Sequence, residues 1–131
     1  SSGATLTLGT VTVPDFMEWR TPFADFGRIV RSANGAVERI VEVKDASPEQ
    51  MAIKEINPSY YCFKAGWLWK SLESLTSDNA AGELYLTDLL AKAILSGEKV
   101  QTFPIPPDEA LGVNTLEQLM IAEALMKARA R

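Results

Sequence analysis

The chain has 131 residues, 47% of them hydrophobic and 23% charged, with a formal charge of −4 and a sequence pI near 4.8. That is enough apolar material for one domain with a real core, which excludes a disordered chain, and the scattered lysines and arginines argue against nucleic acid as a partner. Histidine is absent, which removes histidine triads, histidine zinc sites and histidine acid–base chemistry together. Leu6, Leu8, Val11 and Val13 mark an opening strand that Pro14 ends, because proline has no backbone donor. From Asp15 to Phe26 no strand alternation is sustained, and a surface loop or short helix is expected. Arg28–Arg31 and Arg39–Val43 flank Ser32-Ala33-Asn34-Gly35, where Asn-Gly is expected to supply the positive φ angles of a tight β-hairpin turn.

Ser47-Pro48-Glu49-Gln50 is a helix start, with Ser47 as N-cap, Pro48 at the first helical position and Gln50 at the capping-box position. The helix is short and ends near Ile53. Residues 56–63 are expected to form a buried strand, and Leu68, Leu72 and Leu75 one face of a helix. A further helix follows from Thr87, with Leu89, Leu90, Ala93 and Ile94 inward and Gly97 just past its end. Residues 100–105 form another strand, closed by Pro104, Pro106 and Pro107. The last helix starts at Asn114 or Thr115, whose capping-box partners are Glu117 and Gln118 respectively. Strands alternating with helices in this second half argue for an α/β fold with a largely parallel sheet.

The single cysteine, Cys62, lies in the apolar run Tyr60-Tyr61-Cys62-Phe63, where a buried strand residue is the default over a reactive thiol. No apolar run approaches the roughly 18 residues of a membrane span, so no membrane partner is expected, and a reducing, cytoplasmic setting fits the lone thiol. Phe63, Trp67 and Trp69 are expected to pack in the core or against a helix rather than to stack on bases. On local sequence alone Asn114 and Thr87 are helix caps, Glu42 is the partner of Lys44 in a solvent-facing ion pair, and Asn57 is a buried amide or a turn residue before Pro58.

Five blocks occur in order: Phe26-Gly27-Arg28-Ile29-Val30-Arg31, Ile40-Val41-Glu42-Val43-Lys44-Asp45-Ala46, Glu55-Ile56-Asn57, Asp78-Asn79-Ala80-Ala81-Gly82-Glu83-Leu84-Tyr85-Leu86-Thr87-Asp88, and Gly112-Val113-Asn114. Together they closely resemble the second half of the uridyltransferase domain of bacterial N-acetylglucosamine-1-phosphate uridyltransferases, from about Leu6 to Ala124. The resemblance implies a partial Rossmann-like α/β nucleotidyltransferase fold with a mixed sheet, a β-hairpin and flanking helices. In that family the sugar 1-phosphate attacks the α-phosphate of UTP and expels pyrophosphate. Carried onto this chain, the resemblance implies that Gly27 and Glu42 approach the sugar and that Asn57 hydrogen-bonds sugar or ribose hydroxyls. It further implies that Tyr85 and Thr87 shape the N-acetyl pocket and that Asn114 helps to hold Mg2+. Two departures stand out: Asn57-Pro58-Ser59 where the family has Asn-Thr-Gly or similar, and Glu83-Leu84-Tyr85 where it has Glu-Tyr-Tyr.

The glycines, at 3, 9, 27, 35, 66, 82, 97 and 112, are too widely spaced for a phosphate-cradling loop. In the family that loop, the uracil-binding residues and the aspartate partnering the metal asparagine precede the matching region, and a β-helix of hexapeptide repeats follows it. Residues 1–131 are therefore expected to be the sugar-binding part of the domain, inactive without the nucleotide-binding half. Association with that half, or with a second copy through an exposed sheet edge, is expected. The alternatives are a non-catalytic interaction module and a nucleotidyltransferase for another sugar or base.

Overall fold

The computed structural model of the chain describes residues 3–130. Six strands, β1 (Leu6–Thr12), β2 (Arg28–Arg31), β3 (Val37–Val41), β4 (Glu55–Ile56), β5 (Tyr61–Phe63) and β6 (Val100–Pro104), form one sheet. The pairing path is β3-β2-β4-β1-β5, and off that path β6 pairs with β1, opposite β5 along Leu6–Leu8. The helices are α1 (Pro48–Met51), α2 (Ala65–Leu72), α3 (Asp88–Leu95) and α4 (Leu116–Arg129), with 3₁₀ turns at Glu18–Asp25, Val43–Asp45 and Pro107–Glu109. The mixed α/β architecture expected from the sequence is the one the chain adopts.

The parity of the apolar residues in β1 explains its central place. Leu6 and Leu8 are buried with Ile29, Ile40, Leu90 and Ala93, whereas Val11 and Val13 are buried with Phe23, Ile56 and Ile105. Side chains alternate along a strand, so even and odd positions face opposite ways and β1 carries core on both faces. α3 covers the first face with Leu90 and Ala93, and burial of the leucine is worth about 1.5–3 kcal/mol. Gly97, at φ 68, ends α3, and its successor Glu98 donates its N–H to Ala93 O at 2.9 Å.

Among the described residues parallel pairing is confined to β1 and β6, from Leu6 opposite Val100 to Thr10 opposite Pro104. The other ladders, β1–β4, β1–β5, β2–β3 and β2–β4, are antiparallel. The expectation of a largely parallel sheet is thereby corrected. Parallel neighbours need a long crossover, and only the connection that carries α2 and α3 brings a strand back alongside β1 in its own direction. β2 and β3 are joined by a short loop and can only be antiparallel.

The hairpin forms where expected, but its turn differs. Only Gly35 takes a positive φ, 84°; Asn34 instead accepts the Ala36 N–H on its side-chain oxygen at 3.1 Å. α1 carries the full capping box, with Gln50 N donating to Ser47 Oγ at 3.3 Å and Ser47 N to Gln50 Oε1 at 2.8 Å.

The buried strand expected over residues 56–63 is broken. Pro58 cannot donate, Ser59 turns to φ 64, and the two flanking pieces become β4 and β5. Cys62 is exposed, not buried. In the β1–β5 ladder Phe63 stands opposite Leu6 and Tyr61 opposite Leu8, so both aromatic rings face the α3 side and Cys62 faces away from it. Phe63 and Trp67 stack at 6.3 Å as packing groups, but Trp69 is 67% exposed, and α2 ends before Leu75. No helix among the described residues is long and apolar enough to cross a membrane.

Candidate functional site

The site is built where the hairpin runs out. β3 ends at Val41, and Glu42, in extended conformation, leads into the 3₁₀ turn Val43–Asp45. Opposite lies Gly27, where an added Cβ would meet Ile40 Cγ2 at 2.9 Å and Glu42 Oε2 at 3.3 Å. Any side chain there would press on Ile40 and on the carboxylate, and one of them would have to give. The preceding chain is held by Arg28, 1% exposed, which donates to Ala24 O at 3.0 Å and to Phe26 O and lies 4.7 Å from the Phe16 ring. Burial pushes the Arg28 guanidinium below its usual range.

Asn57, 4% exposed, donates its backbone N–H to Gly27 O at 2.9 Å, and its side-chain oxygen accepts the Ser59 N–H at 3.1 Å. On the other side of Glu42, Thr87 Oγ1 donates to Glu42 Oε1 at 3.0 Å. Thr87 precedes α3 as the local sequence predicts, yet its backbone is already helical, at φ −62 and ψ −23, and its side chain makes no capping bond. The hydroxyl is engaged by Glu42 instead, which corrects the capping expectation. Four residues expected from the sequence, Asn57, Gly27, Glu42 and Thr87, therefore stand in one continuous chain of contacts.

Glu42 and Thr87 open onto a cleft of about 450 Å³ whose walls include Asp45, Asn79, Tyr85 and Asp88. The wall from Asp78 to Thr87 contains no helix or strand. Asn79 organises it: its Oδ1 accepts the N–H groups of Ala81 and Glu83, each at 3.2 Å, and its Nδ2 donates to Glu83 O at 2.5 Å. Gly82, at φ 64, makes the turn in between. Asp45 Oδ1 accepts the Ala80 N–H at 2.9 Å and so ties this wall to the end of the hairpin.

The cleft is acidic. Partial desolvation, then the carboxylates of Asp45, Glu42 and Glu83, push the Tyr85 phenol above its usual range, so it stays a neutral donor at physiological pH. Burial and the neighbouring Asp45 push the Asp88 carboxyl up. Arg39 is the one cation among the lining residues. Carboxylates accept hydrogen bonds and repel anions, so the arrangement suits an uncharged, hydroxyl-bearing ring and not a phosphate.

Tyr61 lies behind the cleft, with Asn57, Ser59 and Glu42 as its polar neighbours. Its buried hydroxyl makes no hydrogen bond of ordinary geometry, and burial first, then Glu42, holds its pKa up at about 12.

Asn114 is not part of this constellation. It is exposed and gives its backbone N–H to Gln118 Oε1 at 2.7 Å. The cap of α4 is Thr115, whose Oγ1 accepts Gln118 N at 3.2 Å, so of the two starts expected for the last helix the second is the one formed. Asn114 is not among the residues that line the cleft onto which Glu42 and Thr87 open. Among the described residues no group of three His, Cys, Asp or Glu is arranged to hold a metal ion. A hard cation such as Mg2+ binds through carboxylate oxygens, substrate phosphates and water, and one neutral amide oxygen does not make that centre.

Sequence reasoning gave no role to Asp45, Asn79 or Asp88. A signal existed for all three: Asp45 falls inside the block of residues 40–46, and Asn79 and Asp88 inside the block of residues 78–88, both of which carry the family resemblance.

No protein-family model matches the chain. Over 104 residues it is 46% identical to the bifunctional protein GlmU of Clostridium botulinum (strain 657 / Type Ba4), a stretch covering 79% of this chain and 23% of that protein. The chain is homologous to a segment of GlmU. The GlmU of Brevibacillus brevis (strain 47 / JCM 6285 / NBRC 100599) is 46% identical over 127 residues, covering 96% of the chain and 26% of that protein. The GlmU of Anaeromyxobacter sp. (strain Fw109-5) is 43% identical over 130 residues, 98% of the chain and 25% of that protein. The chain thus spans about a quarter of the length of the curated relatives it matches. The resemblance carried by the five sequence blocks is borne out.

Proposed function

We propose that residues 1–131 form the sugar-binding part of a uridyltransferase domain, which takes N-acetylglucosamine 1-phosphate and UTP to UDP-N-acetylglucosamine and pyrophosphate. The observation that carries this is the convergence of Gly27, Glu42 and Thr87 around one carboxylate, with Asn57 bonded to the Gly27 backbone. These are residues that the resemblance assigns to the sugar. Glu42 accepts from a sugar hydroxyl, Asn57 supplies amide hydrogen bonds, and Tyr85 with Thr87 bounds the N-acetyl group. Asn114 is proposed as a single amide-oxygen ligand of Mg2+, and no step of the transfer is routed through it.

An acidic cleft cannot stabilise the charge that develops at a reacting phosphorus, and such stabilisation is the largest part of this kind of catalysis. These residues on their own are therefore expected to bind the sugar without turning it over. Ligand-observed NMR with UDP-N-acetylglucosamine and Mg2+ tests the proposal. Saturation transfer to the N-acetyl and sugar protons, lost in Asn57→Ala, is the expected result. Transfer that survives Asn57→Ala would sink it.

A second reading has its own observation. Among the described strands β6 pairs with β1 alone, and Phe103 on it is 44% exposed. Such an edge can recruit another strand, from a second copy or from a nucleotide-binding half. Mass that rises with concentration, with no sugar-nucleotide binding, would favour an interaction module instead.

A further inference from the structure

The wall of the cleft that carries Tyr85 and Thr87 is irregular from Asp78 onward, so its position is set by a few bonds and not by a ladder. Asn79 shapes the loop internally but does not attach it to anything. Among the described residues two hydrogen bonds of ordinary geometry tie this stretch to the end of the hairpin, and the Tyr85 hydroxyl also interacts with the Asp45 carboxylate. One is the Thr87–Glu42 bond, already part of the sugar site. The other is the Asp45 carboxylate, which accepts the Ala80 N–H at 2.9 Å from a position 35 residues away in sequence. Asp45 also lines the cleft beside Tyr85 and Asp88.

We infer that Asp45 is the positioning residue of the sugar cleft: it latches the Asp78–Thr87 wall onto the hairpin and thereby fixes where Tyr85 meets the bound sugar. The inference rests on the sugar-binding reading of the cleft. Three features of Asp45 suit the role. It sits at the end of a one-turn 3₁₀ helix that follows β3, where its own N–H is held by Glu42 O at 2.9 Å. A carboxylate accepting a backbone N–H makes a charge-assisted bond, stronger than a neutral one. Asp45 is also next to Asp88, whose carboxyl it pushes up, and this repulsion is part of the cost of having an acid at this place. An acid kept beside a second acid is expected where it makes a bond that a neutral residue makes less well.

The test uses the chain with Asp45→Ala and Asp45→Asn, the latter keeping a side-chain oxygen without the charge. Amide hydrogen exchange read residue by residue is measured first, without ligand. In Asp45→Ala the Ala80 amide and its neighbours to Glu83 should exchange about tenfold faster, while the amides of β1 and α3 keep their protection. Asp45→Asn should restore most of the slow exchange. Binding of UDP-N-acetylglucosamine should then weaken by roughly five- to tenfold in Asp45→Ala, the size of one lost hydrogen bond, and by less in Asp45→Asn.

Unchanged exchange at Ala80 would overturn the latch, whatever the ligand does. A loosened wall with unaltered affinity would leave Asp45 a structural residue only and overturn its role in the site. Slow exchange at Ala80 in the wild type, lost in Asp45→Ala, with no sugar nucleotide bound by either protein, would instead sink the sugar-binding reading and leave the latch standing.

Discussion

Thr87 donates its hydroxyl to Glu42 at 3.0 Å across 45 residues of sequence, and both groups face the same cleft. This bond joins the start of α3 to the end of the hairpin. Thr87 is 8% exposed, so replacing it by valine leaves one carboxylate oxygen with a buried apolar neighbour. Thr87→Val is expected to destabilise the fold by about 1–2 kcal/mol and Thr87→Ser by much less, because the serine hydroxyl can reach the same oxygen. Urea unfolding midpoints of the three proteins check this. If valine and serine cost the same, the bond contributes nothing and the threonine is there for its methyl group.

Gly27→Ala is the sharpest test of the geometry around Glu42. The new methyl group would come within 2.9 Å of Ile40 Cγ2, 3.3 Å of Glu42 Oε2 and 3.4 Å of Val41 O. Isoleucine can shift only by moving a core side chain, and overpacking of this kind costs roughly 1–3 kcal/mol. The carboxylate must move as well, so the Thr87–Glu42 bond is expected to break with it. A double-mutant cycle with Thr87→Val should then be non-additive, the second substitution costing little once the first is made. Fully additive costs would show that Gly27 and Glu42 are not coupled.

Much of this was legible in the sequence, for identifiable reasons. Capping boxes and chain-ending prolines are local, and Ser47, Gln50, Pro14 and Gly97 act where their residue types predict. The two-faced burial of β1 was written in the change of parity between Leu8 and Val11. What escaped was decided by partners distant in the chain. Thr87 has the sequence of a cap, but Glu42 engages its hydroxyl. Cys62 sits in an apolar run, yet the pairing of Tyr61 with Leu8 turns it away from the α3 side. Asp45 falls inside a block that carries the resemblance, but nothing in its neighbours along the chain tells its role, because that role lies in a backbone N–H at Ala80.

Asn114 and Thr115 separate a capping role from a ligand role. Thr115 carries the cap, and Gln118 Oε1 accepts both the Thr115 N–H at 3.1 Å and the Asn114 N–H at 2.7 Å. The bond of Asn114 to Gln118 is made by its backbone and survives a side-chain change. Thr115→Ala is therefore expected to lower stability by about 1 kcal/mol, and Asn114→Ala by no more than a few tenths of that. Thermal unfolding of the two variants measures this directly. An Asn114→Ala protein as destabilised as Thr115→Ala would assign Asn114 to the helix and weaken its candidacy as a Mg2+ ligand.

Arg31 grips Glu55 with two bonds, Nε to Oε2 at 2.7 Å and Nη2 to Oε1 at 2.6 Å, a fork that ties β2 to β4 just before Asn57. Burial alone would raise the Glu55 carboxyl, but the Arg31 bonds, the Thr10 hydroxyl and the Arg31 charge together outweigh it and hold the group below its ordinary value of 4.5. A carboxyl depressed in the folded state binds its proton more readily in the unfolded chain, so it adds stability as pH rises. That contribution is complete above the ordinary value and is lost as pH falls through the depressed one. The pair is partly open to water, with side-chain exposures of 32% and 18%, so its worth sits near the low end, about 1 kcal/mol. Glu55→Gln should accordingly be less stable than the wild type by about that amount at neutral pH, and the gap should close once the pH drops below the carboxylate range. Urea midpoints on either side of that range, repeated at high salt where the pair is screened, read the effect. A gap that persists in acid would mean that the shape of the fork, and not its charge, joins the hairpin to the strand that leads into Asn57.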